Sequence, residues 1–127
     1  MNRKIFLILF CITLSSLSYA QKIKLKKAKQ KFGFVHEGDV IKLNYELKNI
    51  GDKPLVITDY EVECGCTSME IPSEPIAPGA TYILKVTFNT YEKYDRQDRT
   101  VTLVSNAVGP PAVLRFKGVV LKPKETN

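Results

Sequence analysis

Residues that commonly carry catalysis are scarce in this chain. It has one histidine, two methionines, three cysteines and no tryptophan among 127 residues. The single histidine, His36, lies beside a Glu37-Gly38-Asp39 turn, so we expect a solvent-facing turn residue rather than a ligand or a general base. A Ser-His-Asp triad has no support from the spacing of these residue types. The sequence therefore predicts a protein that is not an enzyme.

Long hydrophobic runs are also missing, except at the start of the chain. A basic start (Arg3 and Lys4) precedes an apolar run over residues 5–14, and Ser18-Tyr19-Ala20 places small residues where signal peptidase reads the chain. A membrane anchor is the alternative, but the run is shorter than the roughly 20 apolar residues that span a bilayer. We predict that residues 1–20 are a cleaved signal peptide. The mature chain would start at Gln21, contain no transmembrane segment, and be exported to the periplasm, the cell surface or the exterior.

Acidic residues are the minority charge. The chain has 19 Lys and Arg against 13 Asp and Glu, and the signal peptide holds two of the basic residues and none of the acidic ones, so the mature chain carries +4. The surplus concentrates in a lysine-rich lead-in, residues 21–31, where Ile23 and Leu25 alternate with lysines. This pattern favours a solvated lead-in or a lysine-protected edge strand over a contact site for anionic glycan, lipid headgroups or nucleic acid. Export and the lack of interleaved aromatic residues argue further against nucleic acid.

Helical periodicity is absent from the mature chain, and 127 residues leave room for one domain. Apolar and β-branched residues form about seven extended segments separated by turn residues, at residues 32–35, 41–48, 55–62, 67–71, 81–88, 100–104 and 112–121. This spacing predicts an all-β fold, an immunoglobulin-like two-sheet antiparallel sandwich over residues 32–121, with a polar loop at 91–99 and a polar tail at 122–127. The strongest alternation places six side chains in the core: Leu43, Tyr45, Val86, Phe88, Leu114 and Phe116.

The order of short motifs in the chain resembles a known family. The motifs are Phe32-Gly33-Phe34-Val35, Asn49-Ile50-Gly51, Cys64-Gly65-Cys66-Thr67, Pro78-Gly79 and Gly118-Val119-Val120. Together they resemble a family of exported bacterial domains of unknown function, with an immunoglobulin-like sandwich similar to major sperm protein and Hydin-like domains. Residues 91–98 depart from the glycine-containing turn of that pattern. The resemblance implies a fold and an exported location, and it implies no established activity.

The two cysteines of the mature chain are the only reactive groups with a suggestive spacing. Removal of Cys11 with the signal peptide leaves Cys64 and Cys66, an even count that suits a disulfide in an oxidising compartment. Gly65 between them would supply backbone angles that a ring this small needs. A structural local disulfide, or two packed thiols, is the interpretation that we favour. The alternatives are a copper(I) site completed by Met69 and a thiol–disulfide exchange pair.

Aromatic and acidic residues supply two further candidate sites. Tyr60, Tyr91 and Tyr94 are amphipathic aromatics that could form a surface for a protein or glycan. The acidic residues of the 91–99 loop, Glu92, Asp95 and Asp98, alternate with basic residues and lack a calcium-loop pattern, so we expect a solvated charged loop.

These patterns lead to one functional hypothesis and one alternative. The hypothesis is an exported, non-catalytic structural or binding module that contacts a protein or glycan at the cell envelope and needs no cofactor. The alternative is a periplasmic redox or copper(I)-handling protein that uses Cys64 and Cys66.

Overall fold

Eight β-strands account for the regular structure. A computed structural model describes residues 21–123 and 125, so the predicted signal peptide with Cys11, and most of the predicted polar tail, lie outside the described residues. The described part contains no helix. The strands are β1 (Ile23–Leu25), β2 (Lys29–His36), β3 (Val40–Asn49), β4 (Ile57–Val62), β5 (Thr67–Met69), β6 (Thr81–Asn89), β7 (Asp95–Ser105) and β8 (Val113–Leu121).

The strands form two four-stranded sheets packed face to face. The first sheet has the order β1-β3-β6-β5, and the second has the order β2-β8-β7-β4. This confirms the predicted all-β, immunoglobulin-like sandwich. The prediction of antiparallel pairing holds for every pair except β2 and β8, which are parallel. β2 and β8 are the first and last strands of the second sheet in chain order, so no hairpin turn joins them and nothing in the connection requires an antiparallel pair.

Side chains from both sheets interdigitate in one core. All six side chains that the sequence places in the core are buried there, together with Leu47, Leu55, Leu84 and Val101. Three aromatic rings lie together: the partly buried Phe32 lies 5.8 Å from Phe88 and 6.2 Å from Phe116, measured between ring centroids. The ring of Phe32 packs directly over Gly118. Polar residues on the same strands alternate to the solvent side, as the period-two pattern predicts.

The lysine-rich segment is part of the sandwich rather than a lead-in to it. Ile23–Leu25 forms an antiparallel edge strand on β3, and β2 already begins at Lys29. Ile23 and Leu25 pack against the core while Lys24 is exposed. The edge-strand interpretation of this segment is therefore correct, and the predicted domain start at Phe32 is too late.

The predicted loop over residues 91–99 is too long. β7 starts at Asp95, and its first residues pair with β8 from Val120 backwards. The sequence did not reveal this part of the strand because its inward positions include Gln97 and Arg99 instead of apolar residues. Backbone pairing with β8 and hydrogen bonds made by these side chains replace the missing apolar pattern.

Among the described residues, no helix is long and apolar enough to cross a bilayer.

Candidate contact loop and cysteine pair

Three connections meet at one end of the sandwich. They are the β2–β3 turn, the β4–β5 turn with the two cysteines, and the β6–β7 loop. Backbone hydrogen bonds join them: Asn89 N donates to Cys66 O (2.8 Å), and Thr90 N donates to Asp39 O (3.1 Å). This end of the molecule therefore holds both the cysteine pair and two of the three candidate tyrosines.

The cysteines occupy the crossing from the second sheet to the first. Their sulfur atoms lie within disulfide distance of each other, and their Cα atoms are 5.2 Å apart. Cys66 packs against the core, and its N–H donates to Cys64 Sγ (3.1 Å). Gly65 does not have a positive φ, so the expectation that this ring needs the special backbone angles of glycine is wrong.

Glu63 positions the start of this turn. Its carboxylate accepts hydrogen bonds from the hydroxyl and the backbone N–H of Thr100 on β7. The hydroxyl hydrogen bond lowers the pKa of Glu63. The carboxylate thereby ties the cysteine turn to the second sheet.

Met69, the third candidate copper(I) ligand, lies in the hydrophobic core. Its side chain is 7% exposed. In the described part of the chain, His, Cys, Asp and Glu side chains form no group of three that could hold a metal ion.

The β6–β7 loop presents two tyrosines to solvent. Tyr91 is 65% exposed and Tyr94 is 48% exposed. The two backbone positions with positive φ that are not glycine, Glu92 (56°) and Asp95 (65°), lie in and at the end of this loop. Such angles cost about 1–3 kcal/mol each and persist only where surrounding contacts hold the backbone in place.

Hydrogen bonds supply those contacts. The hydroxyl of the buried Thr90 lies within hydrogen-bond distance of two carbonyl oxygens to which it can donate, Asp39 O (2.6 Å) and His36 O (3.2 Å). Glu92 N donates to the Glu37 carboxylate (2.8 Å), and the buried Gln97 donates from Nε2 to Tyr94 O (2.8 Å). The loop is therefore held at both ends and in the middle.

Tyr60 does not join this surface. Tyr60 lies on β4, pairs with Leu103 on β7 and packs against the core from the inner face of the second sheet. The structure therefore places Tyr60 apart from the two exposed tyrosines, and the contact surface stays a prediction. Its alternation with the exposed Asp59 and Glu61 explains the inward position.

The acidic residues of the predicted loop are also separated. Asp98 lies on β7, where its carboxylate accepts two hydrogen bonds from Arg115 (2.8 and 2.6 Å) and lies 3.5 Å from Lys117 Nζ. The Arg115 hydrogen bond, reinforced by the two positive charges, lowers the pKa of Asp98 to about 2.

His36 is the last residue of β2 and is half-buried rather than solvent-facing. Its backbone N–H donates to Asp39 Oδ2 (2.9 Å).

Thr90 and Gln97 are the positioning residues that sequence reasoning missed. Thr90 directly follows the alternating pattern of β6, where a buried hydroxyl cannot be told from an ordinary turn residue. Gln97 sits at an inward position of β7 that becomes recognisable only once its register with β8 is known.

The comparison with protein families decides the classification. The model of the family described as "Protein of unknown function (DUF1573)" matches residues 23–120. The chain belongs to the DUF1573 family. No curated protein matches the sequence. The resemblance to a family of unknown function is thus confirmed, while export stays a prediction.

Solved structures with the DUF1573 chain's fold are distant in sequence. A protein of unknown function from Porphyromonas gingivalis W83 has a TM-score of 0.68 at 17% identity, over 84% of this chain and 51% of that one. The ASH/PapD-like domain 7 of human CEP192 has a TM-score of 0.63 at 9% identity, over 83% and 89%. The YadV chaperone has a TM-score of 0.53 at 13% identity, over 83% and 54%. This chain therefore spans about half the length of the Porphyromonas gingivalis protein, and these likenesses describe the fold alone.

The DUF1573 match also starts where the sheet starts. Its first residue, Ile23, is the first residue of β1, which agrees with the inclusion of the lysine-rich segment in the sandwich. At the other end, the match closes on Val120, the last buried residue of β8.

Proposed function

We propose that the protein is an exported, non-catalytic binding module of the cell envelope. Its contact loop, residues 90–95, would dock onto a protein partner, with a glycan as the second ligand class. Tyrosine suits such a surface because it offers a large, rigid apolar area with a hydroxyl that can bond to either ligand.

The observation that carries this proposal is the construction of the loop. Two exposed tyrosines sit on a backbone that contains two non-glycine residues with positive φ, Glu92 and Asp95. Buried polar side chains, Thr90 and Gln97, hold it in that shape. A loop ordered before binding loses less conformational entropy when the partner arrives, and this raises affinity.

Three further observations support a protein as the partner and export as the route. The fold is shared with a PapD-like domain and with the YadV chaperone, which gives a fold-level analogy for protein binding. The apolar run at 5–14 and the small residues before Gln21 support a signal peptide. Cysteines at disulfide distance suit an oxidising compartment.

Photo-crosslinking from the loop tests the proposal. A benzophenone amino acid replaces Tyr94 in the protein expressed in its own host, and the matched control carries it at Val108, which is 63% exposed on the β7–β8 loop at the other end. We expect an adduct from position 94 that is absent from position 108 and is lost when Tyr91→Ser is added. Mass spectrometry of the adduct assigns it to a protein or to a glycan. Equal adducts from both positions, or an adduct that Tyr91→Ser leaves unchanged, would refute the contact loop.

Processing is measured on the same samples. We expect the intact mass of the mature protein to correspond to a chain that starts at Gln21. A species that retains Met1 to Ala20 in the membrane fraction would contradict export by a cleaved signal peptide.

A further inference from the structure

β3 has a partner along its whole length on one side only. On that side β6 pairs with Val40 through Lys48. On the other side β1 pairs with residues 47–49, and one more hydrogen bond joins Lys26 N to Glu46 O (3.1 Å). The chain then leaves for the second sheet, and no strand in the described part pairs with residues 40–44 on this side.

The direction of the backbone groups at this edge follows from the bonds already made. Glu46 O and Ile50 N are both bonded to the segment that contains β1. Alternate residues of an antiparallel strand direct their N–H and C=O groups to the same side. The N–H and C=O groups of residues 40, 42 and 44 therefore point to the same side of β3 as β1, beyond the point where β1 ends.

One side chain partly replaces the missing strand. Gln30 Nε2 donates to Asn44 O at 2.8 Å. The N–H groups of Val40, Lys42 and Asn44, and the carbonyls of Val40 and Lys42, have no strand partner among the described residues. These five groups form a ready template for an added strand.

Lysines lie beside the end of this open edge that is nearer to β1. A groove of about 470 Å³ beside Asn44 is lined by Lys26, Lys27, Gln30 and Glu46. The acidic member is paired, because Lys26 Nζ lies 3.4 Å from Glu46 Oε2. A second groove of about 410 Å³ follows along β1 and is lined by Lys24, Lys26 and Lys48, besides Leu25 and Glu46. Lysines at a strand edge repel a basic strand and attract an acidic one.

We propose that residues 40–44 of β3 bind an extended, acidic segment of a partner protein, which adds a fifth strand to the first sheet. Backbone hydrogen bonds at Val40 and Lys42 hold the segment, and the lysines select its charge. A second copy of this chain is a poorer occupant. Its acidic edge strand, β4, has a register irregularity between Ile57 and Asp59 that interrupts regular pairing.

Binding of a synthetic peptide to the mature protein tests this inference. The probe is an acetylated ten-residue peptide of alternating Glu and Val, and its matched control carries an N-methyl group on every residue, which keeps the charge and removes the backbone donors along both edges of the peptide. We expect the N-methyl peptide to bind at least tenfold more weakly. The amides of Val40 and Lys42 should show chemical shift changes and slower hydrogen exchange only with the unmodified peptide.

Protein variants separate the edge from general charge. Lys42→Glu should weaken binding at least tenfold, whereas Lys53→Glu, the same charge change in the β3–β4 loop, should change it less than twofold. The inference would be overturned if the Glu/Val peptide does not bind at low salt, or if N-methylation leaves its affinity unchanged. Dextran sulfate binding as tightly, with the same shifts, would identify an anionic-polymer surface and would also overturn it.

Self-association is checked by sedimentation without peptide. A dimer in which the backbone amides of Val40 and Lys42 are protected from hydrogen exchange would assign the edge to a second copy and overturn the partner proposal. Crosslinking from Tyr94 reports on the contact loop and does not depend on β3, so a failure here and a failure of the proposed function give different results.

Discussion

The contact between Phe32 and Gly118 leads to a quantitative prediction about stability. A Cβ atom added at Gly118 would lie 2.2 to 2.5 Å from three atoms of the Phe32 ring, far inside the separation of non-bonded carbon atoms, about 3.5–4.0 Å. The ring must therefore shift by more than 1 Å, and it packs against both Phe88 and Phe116. Gly118→Ala thus overpacks the contact between Phe32 and the core.

The expected cost follows from those contacts. Overpacking costs about 1–3 kcal/mol, and each aromatic pair is worth about 0.5–1.5 kcal/mol beyond its buried area. Alanine in a strand regains roughly 0.5–1 kcal/mol relative to glycine. Because Gly118 does not have a positive φ, no backbone strain is added. We expect a net loss of about 1–2 kcal/mol in the free energy of unfolding, measured by urea denaturation of the oxidised protein.

A double-mutant cycle isolates the contact. In a Phe32→Ala background the ring is gone, so Gly118→Ala should be neutral or slightly stabilising, with a coupling of about 1–3 kcal/mol. Gly65→Ala, at a glycine with open space around it and no positive φ, should stay within about 0.5 kcal/mol of wild type. The same penalty for Gly118→Ala with and without the Phe32 ring would refute the packing argument.

Three further predictions concern the core and the cysteines. Phe88→Ala should cost about 3–5 kcal/mol because the ring is fully buried, whereas Lys85→Ala on the exposed face should stay within about 0.5 kcal/mol; urea denaturation of both checks the register. Burial raises the pKa of Tyr45 to about 12, so this hydroxyl ionises at a lower pH in the unfolded chain than in the folded protein. The free energy of unfolding should therefore fall between about pH 10 and 12 by up to roughly 3 kcal/mol, and Tyr45→Phe should lack this part of the pH dependence. Cys64→Ser with Cys66→Ser should leave a folded protein that is about 1–2 kcal/mol less stable, because the closed loop is small, and the oxidised wild type should titrate about two thiols fewer than the reduced form. Copper(I) retained stoichiometrically by reduced wild type against a competing chelator, and weakened by Met69→Ala, would instead support the metal-handling alternative.

Period-two alternation predicted the elements whose two faces differ most. Along most of β3 and β6 the apolar residues are inward and the polar residues outward, so both strands and their core residues could be read directly. The exceptions are Val40 and Ile83, which are exposed, and Asn49, which is buried. The same rule failed on the first half of β7, because Gln97 and Arg99 point inward. It also could not separate Tyr60, which packs on the core, from Tyr91 and Tyr94, which are exposed.

The cysteine pair shows a different limit. Its proximity follows from a separation of two residues, so the local geometry was accessible from the sequence. The position of Met69 was not, because its burial depends on how β5 pairs with β6 and on the sheet opposite. Gly65 was misjudged for a related reason: this turn forms without the left-handed conformation that a glycine suggests.

What the sequence determined by itself is therefore local: the all-β class, the strands with clear alternation, the core side chains they carry, and the proximity of the two cysteines. These depend on residues a few positions apart, whose side chains point to opposite faces of the same strand. Only the tertiary structure decided the parallel pairing of β2 with β8, the support of the contact loop by Thr90 and Gln97, and the open edge at Val40–Asn44. Each of these depends on partners distant in the chain, and an edge exists only where the neighbouring strand has turned away.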